Sequence, residues 1–234
     1  VEEPVRVYVG LRSADTAAER AALAVDELAR AGGFDREVLL LVTATGSGWV
    51  DPDAAAALEQ LHAGDTAIAS MQYSFLPSWI STLVDDDDVA TSASVELFEA
   101  VEERWSELPA DDRPRLVVFG LSLGSYGAEA VFAAPAAATS IANMVARTDG
   151  VVLVGPTNDN PIHRQLLEAR DAGTPVWHPV VDGGREVRFV TRDPDAVEPA
   201  GEWATPRVLY VQHPSDPVTF WGFDSLWSPP EWMD

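Results

Sequence analysis

A chain of 234 residues with 47% apolar residues is long enough for one large α/β domain with a full core. Its formal net charge of −23, with Arg as the sole basic residue type, argues against a surface built for nucleic acid or anionic lipid. Without Cys there is no disulfide, thiolate metal site or Cys nucleophile, and no apolar run reaches the length of a membrane span.

Strand and helix signals alternate along the chain. Arg6–Leu11 reads as a first strand. Ser13 or Asp15 is placed to cap a helix with Ala21, Ala24, Val25 and Leu28 on one face, and Gly32-Gly33 ends it. Val38–Val42 is a continuous apolar run, the pattern of a strand buried on both faces of a parallel sheet. A small-residue loop, Thr43–Trp49, follows, and Asp51 with Pro52 starts a second helix carrying Ala54, Leu58 and Leu61 inward. Ala67–Tyr73 is the next strand and runs into Ser74–Trp79, a loop dense in aromatics. The four acids Asp85–Asp88 read as a solvated loop rather than a calcium site. Val95–Leu108 is predicted helical, with Leu97, Val101 and Trp105 on one side. Downstream, Ala138–Arg147 reads as a helix, Val151–Gly155 as a strand and Pro161 to about Ala172 as a helix. Glu186–Thr191 alternates as a half-exposed strand, and Arg207–Val211 is the last clear strand. This alternation predicts an α/β fold with a mainly parallel sheet and helices on both faces.

The chemistry-bearing stretch lies between these halves. Arg115–Phe119 is a buried-type strand that stops at Gly120-Leu121-Ser122-Leu123-Gly124 and gives way to a small-residue helix. That segment fits G-x-S-x-G, the nucleophile elbow, in which flanking glycines permit a turn tight enough to lift the Ser hydroxyl off the sheet edge. The bland alternative is a Ser in an ordinary strand-to-helix loop. At the carboxyl end of the second strand, Thr45-Gly46-Ser47-Gly48 has side chains small enough for backbone N–H groups to approach a ligand. Gly46 or Ser47 would supply one donor of an oxyanion hole and Leu123 the other; a plain turn is the alternative. A phosphate loop of the G-K-[ST] kind is excluded, because the chain has no Lys. Asp216 follows the last strand, where the acid of a Ser–acid–His order belongs, or is simply a turn-forming Asp-Pro. None of the four His residues, His62, His163, His178 and His213, follows Asp216. His62, His163 and His178 read as surface or packing residues. The base is therefore His213 in an unusual order, or a residue beyond Asp234. Tyr73, Phe75 and Trp79 are candidates to line an apolar acyl pocket, or belong to the core.

Taken together, these blocks resemble the C-terminal hydrolase domain of a bacterial family of membrane-anchored α/β-hydrolases, the Abhydrolase_9 type. The resemblance rests on Arg6–Leu11, Thr45–Pro52, Gln72–Trp79, Arg113–Leu116 leading into Gly120–Ser125, and His213–Val218, which run in order through nearly the whole chain. It implies a single α/β-hydrolase domain over residues 1–234 that lacks its C-terminal segment, in a soluble part of a protein whose N-terminal membrane helices are absent here. It also implies an esterase or lipase with Ser122 as nucleophile, Asp216 as acid and a His supplied by that C-terminal segment. Leu121 departs from the pattern, since the elbow often carries an acidic residue there. The resulting expectation is a serine hydrolase acting through an acyl-enzyme on a small or lipid-like ester, with no cofactor, metal or nucleic-acid partner. An acyltransferase on the same elbow, or a catalytically silent binding module, are the alternatives.

Overall fold

The computed structural model describes residues 1–76, 88–191, 201–220 and 227. Seven strands form one sheet: β1 Val5–Val9, β2 Val38–Thr43, β3 Thr66–Met71, β4 Arg115–Leu121, β5 Gly150–Val154, β6 Val187–Val190 and β7 Arg207–Val211. Their order is β1-β3-β2-β4-β5-β7-β6, and every pairing is parallel. The helices are α1 Ala17–Arg30, α2 Pro52–Leu61, α3 Asp88–Ser106, α4 Leu123–Ala130, α5 Ala137–Arg147, α6 Pro161–Glu168 and the single turn α7 Pro217–Phe220.

Alternation along β2 shows how the two faces are covered. Leu39 and Leu41 point into the large core, together with Leu28 of α1, Phe98 and Val101 of α3, Met144 of α5 and Leu166 of α6. Leu40 and Val42 point to the opposite face, where Ile68 and the α2 residues Ala55 and Leu58 meet them. Both sets are buried, so β2 reads as an unbroken apolar run. The edge strand β6 alternates buried and half-buried, as its sequence pattern predicts.

Four local expectations are corrected. Leu61 of α2 does not face inward but is 80% exposed. The α1 cap is neither Ser13 nor Asp15 but Thr16, whose hydroxyl accepts the Glu19 N–H while the Glu19 carboxylate accepts the Thr16 N–H. This reciprocal capping box satisfies two orphan donors where Ser13 or Asp15 would satisfy fewer. Helix α3 begins at Asp88, seven residues before the predicted start, and α6 ends at Glu168 rather than near Ala172. Among the described residues, no helix is long and apolar enough to cross a membrane.

The chain runs from β2 outward through α2 to β3 on one side, then returns to place β4 on the other side of β2. The connections leaving β2 and β4 diverge to opposite faces, since α2 packs on one and α4 on the other. A crevice therefore opens beyond the carboxyl ends of β2 and β4, the place where open parallel sheets bind ligands.

Candidate active site

Ser122 sits at this crevice as the N-cap residue of α4, with φ 53° and ψ −122°. An L-residue reaches that conformation at a cost on the order of 1–3 kcal/mol. Its neighbours show why it is imposed. A Cβ at Gly120 would lie 2.5 Å from the Gly124 carbonyl oxygen, and one at Gly124 would lie 2.4 Å from the Thr43 carbonyl oxygen. Strand, turn and helix therefore pack with backbone against backbone, and the residue between the glycines takes the strain. The Ser122 side chain makes no capping hydrogen bond to its helix. It stands half-exposed at the helix N-terminus, where the first N–H groups and the helix dipole favour negative charge.

On the β2 side, Thr45–Trp49 forms a small closed loop, with Thr45 and Trp49 bridged through their backbones. The Thr45 hydroxyl donates to the Leu121 carbonyl at 2.6 Å and ties this loop to the elbow. Tyr8 donates to the Gly48 carbonyl at 3.0 Å, and Gln72 donates to the Ser47 carbonyl at 2.8 Å. Gly48 has φ 99°, and a Cβ there would lie 2.0 Å from the Tyr8 hydroxyl, so glycine is required on both counts. Of the two donors that the sequence offered, the Gly46 N–H is engaged by the Tyr73 hydroxyl at 2.7 Å. Ser47 lies at the exposed tip of the loop.

Tyr73 is 3% exposed and braces this loop from below. Phe75 is 56% exposed, with the Arg12 guanidinium 5.1 Å from its ring centre. Trp79 lies outside the described residues, as do Asp85, Asp86 and Asp87.

On the other side, hydrogen bonds extend the ladder past the strand ends. The Ser122 N–H donates to the Val154 carbonyl and the Gly155 N–H to the Val211 carbonyl, both at 2.8 Å. Ser122, Gly155 and the loop after β7 thus form a row across three adjacent strands. Asp216 caps α7 through Oδ1, which accepts the Val218 N–H at 2.9 Å. Its Oδ2 faces Gly155, where an added Cβ would lie 3.8 Å away. Two strand spacings separate this loop from the elbow, roughly 10 Å, which leaves room for an imidazole between hydroxyl and carboxylate.

His213 stands in the same loop, and its carbonyl accepts the Asp216 N–H at 3.0 Å. Its Nδ1 faces the Ser215 N–H at 3.3 Å and the Ser215 hydroxyl at 2.9 Å. A triad base turns Nδ1 toward the acid and Nε2 toward Ser, whereas here Nδ1 faces Ser215. His62 pairs with Glu37 at 3.0 Å, on the segment that enters β2 at the amino edge of the sheet, and His178 stacks on Trp177. His163 is wholly buried.

Beneath the elbow lies a buried polar cluster that the sequence reading missed. Glu129 of α4 is fully buried and accepts the Tyr210 hydroxyl at 2.8 Å, the Ile162 N–H at 2.7 Å and the His163 N–H at 3.2 Å. The Asn160 amide also faces it and favours its ionised form. Burial outweighs these donors and pushes the carboxyl up to about 7. His163 Nε2 donates to Gln212 Oε1 at 2.7 Å, and Gln212 in turn donates to the Trp177 carbonyl at 3.0 Å. Burial lowers the His163 imidazole to about 4, so it is neutral, and its Nδ1 has no partner among the described residues. The available signal was Glu129's isolation, since it is the sole charged residue between Arg115 and Arg147. Among the described residues, no cluster of three or more His, Asp or Glu side chains could hold a metal ion.

A strained Ser at a strand-to-helix elbow, set in a parallel sheet of this order with the Asp216 loop two strands away, fits the α/β-hydrolase fold. The chain matches the Abhydrolase_9 alpha/beta-hydrolase family over residues 5–234, and it belongs to that family. No curated protein matches it in sequence. Among solved structures it is similar to an acetylxylan esterase at 12% identity and a TM-score of 0.45, over 82% of this chain and 88% of that one. It is also similar to a Trichoderma reesei cutinase bound to a phosphonate inhibitor, at 15% identity and a TM-score of 0.41, over 87% of this chain and 78% of that one.

Proposed function

We propose that this protein is a serine hydrolase that cleaves carboxylic esters through an acyl-enzyme on Ser122. The observation that carries this reading is the positive φ of Ser122, held between two glycines that tolerate no side chain. Ser122 Oγ attacks the ester carbonyl, and the Leu123 N–H receives the developing oxyanion. The Ser47 N–H is the second donor, because the Gly46 N–H is committed to Tyr73. Asp216 orients the imidazole that takes the Ser proton. By the sequence resemblance that imidazole comes from a His beyond Asp234, with His213 of the Asp216 loop as the alternative; His163 is wholly buried. Phe75 contacts the acyl group, while Tyr73 supports the neighbouring loop. Membrane attachment of a bacterial parent protein is part of the same proposal and rests on the sequence resemblance.

The test is labelling of the full-length protein with a fluorophosphonate probe, followed by peptide mass spectrometry. We expect one adduct, on Ser122, that disappears in Ser122→Ala. An unlabelled wild type that binds esters without turning them over would instead identify a silent binding module. Transfer of the acyl group to an added alcohol in preference to water would identify an acyltransferase.

A further inference from the structure

Three donors converge on the Ser122 carbonyl. Two are backbone groups at the start of α4, the Ser125 N–H at 2.8 Å and the Tyr126 N–H at 3.4 Å. The third is the Ser125 hydroxyl at 2.6 Å, which no helix requires. Behind it, Asn160 Nδ2 donates to Ser125 Oγ at 3.2 Å, which directs the Ser125 proton toward the Ser122 carbonyl. Asn160 is itself held, because its Oδ1 accepts both the N–H and the hydroxyl of Thr157 at 2.8 Å and its amide faces Glu129. Ser125, Asn160 and Glu129 are all fully buried. Polar side chains of this kind are unfavourable in a core unless paired, and here they pair into one chain that ends on the elbow.

The peptide bond is a rigid trans plate, so the Ser122 carbonyl and the Leu123 N–H point in opposite directions from one plane. A group that fixes the carbonyl therefore aims the N–H. We propose that Ser125 and Asn160 are positioning residues, which hold the Ser122–Leu123 peptide so that its N–H meets the oxyanion without reorganising. This inference rests on the reading of Ser122 as nucleophile and Leu123 as oxyanion donor. A donor preset before substrate arrives contributes more to turnover than one that must turn to meet it.

The experiment measures kcat and KM of the full-length protein on a short-chain nitrophenyl ester, with the Leu123 amide followed by NMR. Ser125→Ala and Asn160→Leu should each lower kcat about tenfold, the scale of a misaimed rather than a deleted donor. KM should stay within about twofold, as for an interaction that matters in the transition state. The double variant should be no worse than the worse single one, because both act through one hydrogen bond. The Leu123 amide resonance should move in Asn160→Leu, which reaches the elbow through Ser125. Folded variants with wild-type kcat, or additive losses in the double variant, would overturn the proposal. If Ser122→Ala keeps wild-type hydrolysis, the catalytic reading fails, and the Leu123 resonance then decides the positioning claim alone: unmoved in Asn160→Leu sinks it, moved sustains it.

Discussion

On the β2–β3 side of Ser122, the loop Thr45–Trp49 is held by neutral groups: the hydroxyls of Tyr8, Thr45 and Tyr73 and the amide of Gln72. On the β5–β7 side, the elbow helix is held by a buried carboxylate, Glu129, with the imidazole of His163 alongside. Both flanks are tied to the same elbow, yet they respond differently to pH. Neutral hydrogen bonds between hydroxyl, amide and backbone do not titrate in the physiological range. The second flank does, because burial has raised Glu129 to about 7, while it lowers His163 to about 4.

The largest expected effect falls on the residue that both flanks share. Ser122→Ala should lower turnover on the order of a million-fold while leaving the melting temperature unchanged, since the hydroxyl has no capping role and Ala keeps the same backbone strain. Retention of most activity would dissolve the comparison, as neither flank would then serve catalysis. Next is Gly46→Val on the neutral flank. Gly46 has φ 55°, which a β-branched residue resists, and we expect roughly a hundredfold loss of turnover at every pH tested. A loss confined to one arm of the pH profile would show that this flank titrates after all.

The third prediction concerns the charged flank. Glu129 is raised from 4.5 to about 7, so between these values the folded state holds a proton that the unfolded state releases. Its contribution to stability is therefore full below pH 4.5 and lost as pH rises through 7, a change of about 3 kcal/mol. His163 is lowered from 6.5 to about 4, so its contribution is full above 6.5 and lost as pH falls through 4. The two slopes oppose each other between about 4.5 and 6.5. Glu129→Gln removes the Glu129 slope, so denaturant melts should show a stability deficit relative to wild type that shrinks as pH rises from 5 to 8. A deficit that is constant with pH would mean that Glu129 does not change ionisation on folding. The smallest effect belongs to Tyr73→Phe, which deletes one buried hydroxyl and should cost about 1 kcal/mol equally at pH 5 and pH 8.

The same contrast explains what could be read from the sequence. The elbow is legible because its signature is local: two glycines and a Ser within five residues mark the turn. The strands were legible from apolar runs, and β2 from its lack of alternation. Thr16 is not singled out by its sequence because the capping box depends on which of several neighbouring polar residues meets Glu19. Tyr73 reads as a pocket wall or a core residue because an aromatic after a strand says nothing about where its hydroxyl points, and in the fold it is buried and its hydroxyl meets Gly46, 27 residues back. The Glu129 cluster was invisible for the same reason at longer range, since its partners lie 33 and 81 residues away. Its isolation in an apolar stretch announced burial, but not with what.

The order of the strands also carries a consequence for how the molecule assembles. β4 lies between β2 and β5, and its register with β2 joins residues 77 positions apart, such as Val38 with Arg115. Closing such a loop precedes the contacts that reward it, and sheets dominated by distant pairings fold on the millisecond-to-second scale. The strained backbone at Ser122 exists because Gly124 is pressed against Thr43, at the far end of that same pairing. Until β2 and β4 have zipped to their carboxyl ends, Ser122 has no reason to leave ordinary backbone geometry. The reactive conformation is thus a late product of folding, and a chain caught part-way would carry the complete G-x-S-x-G segment without its raised serine.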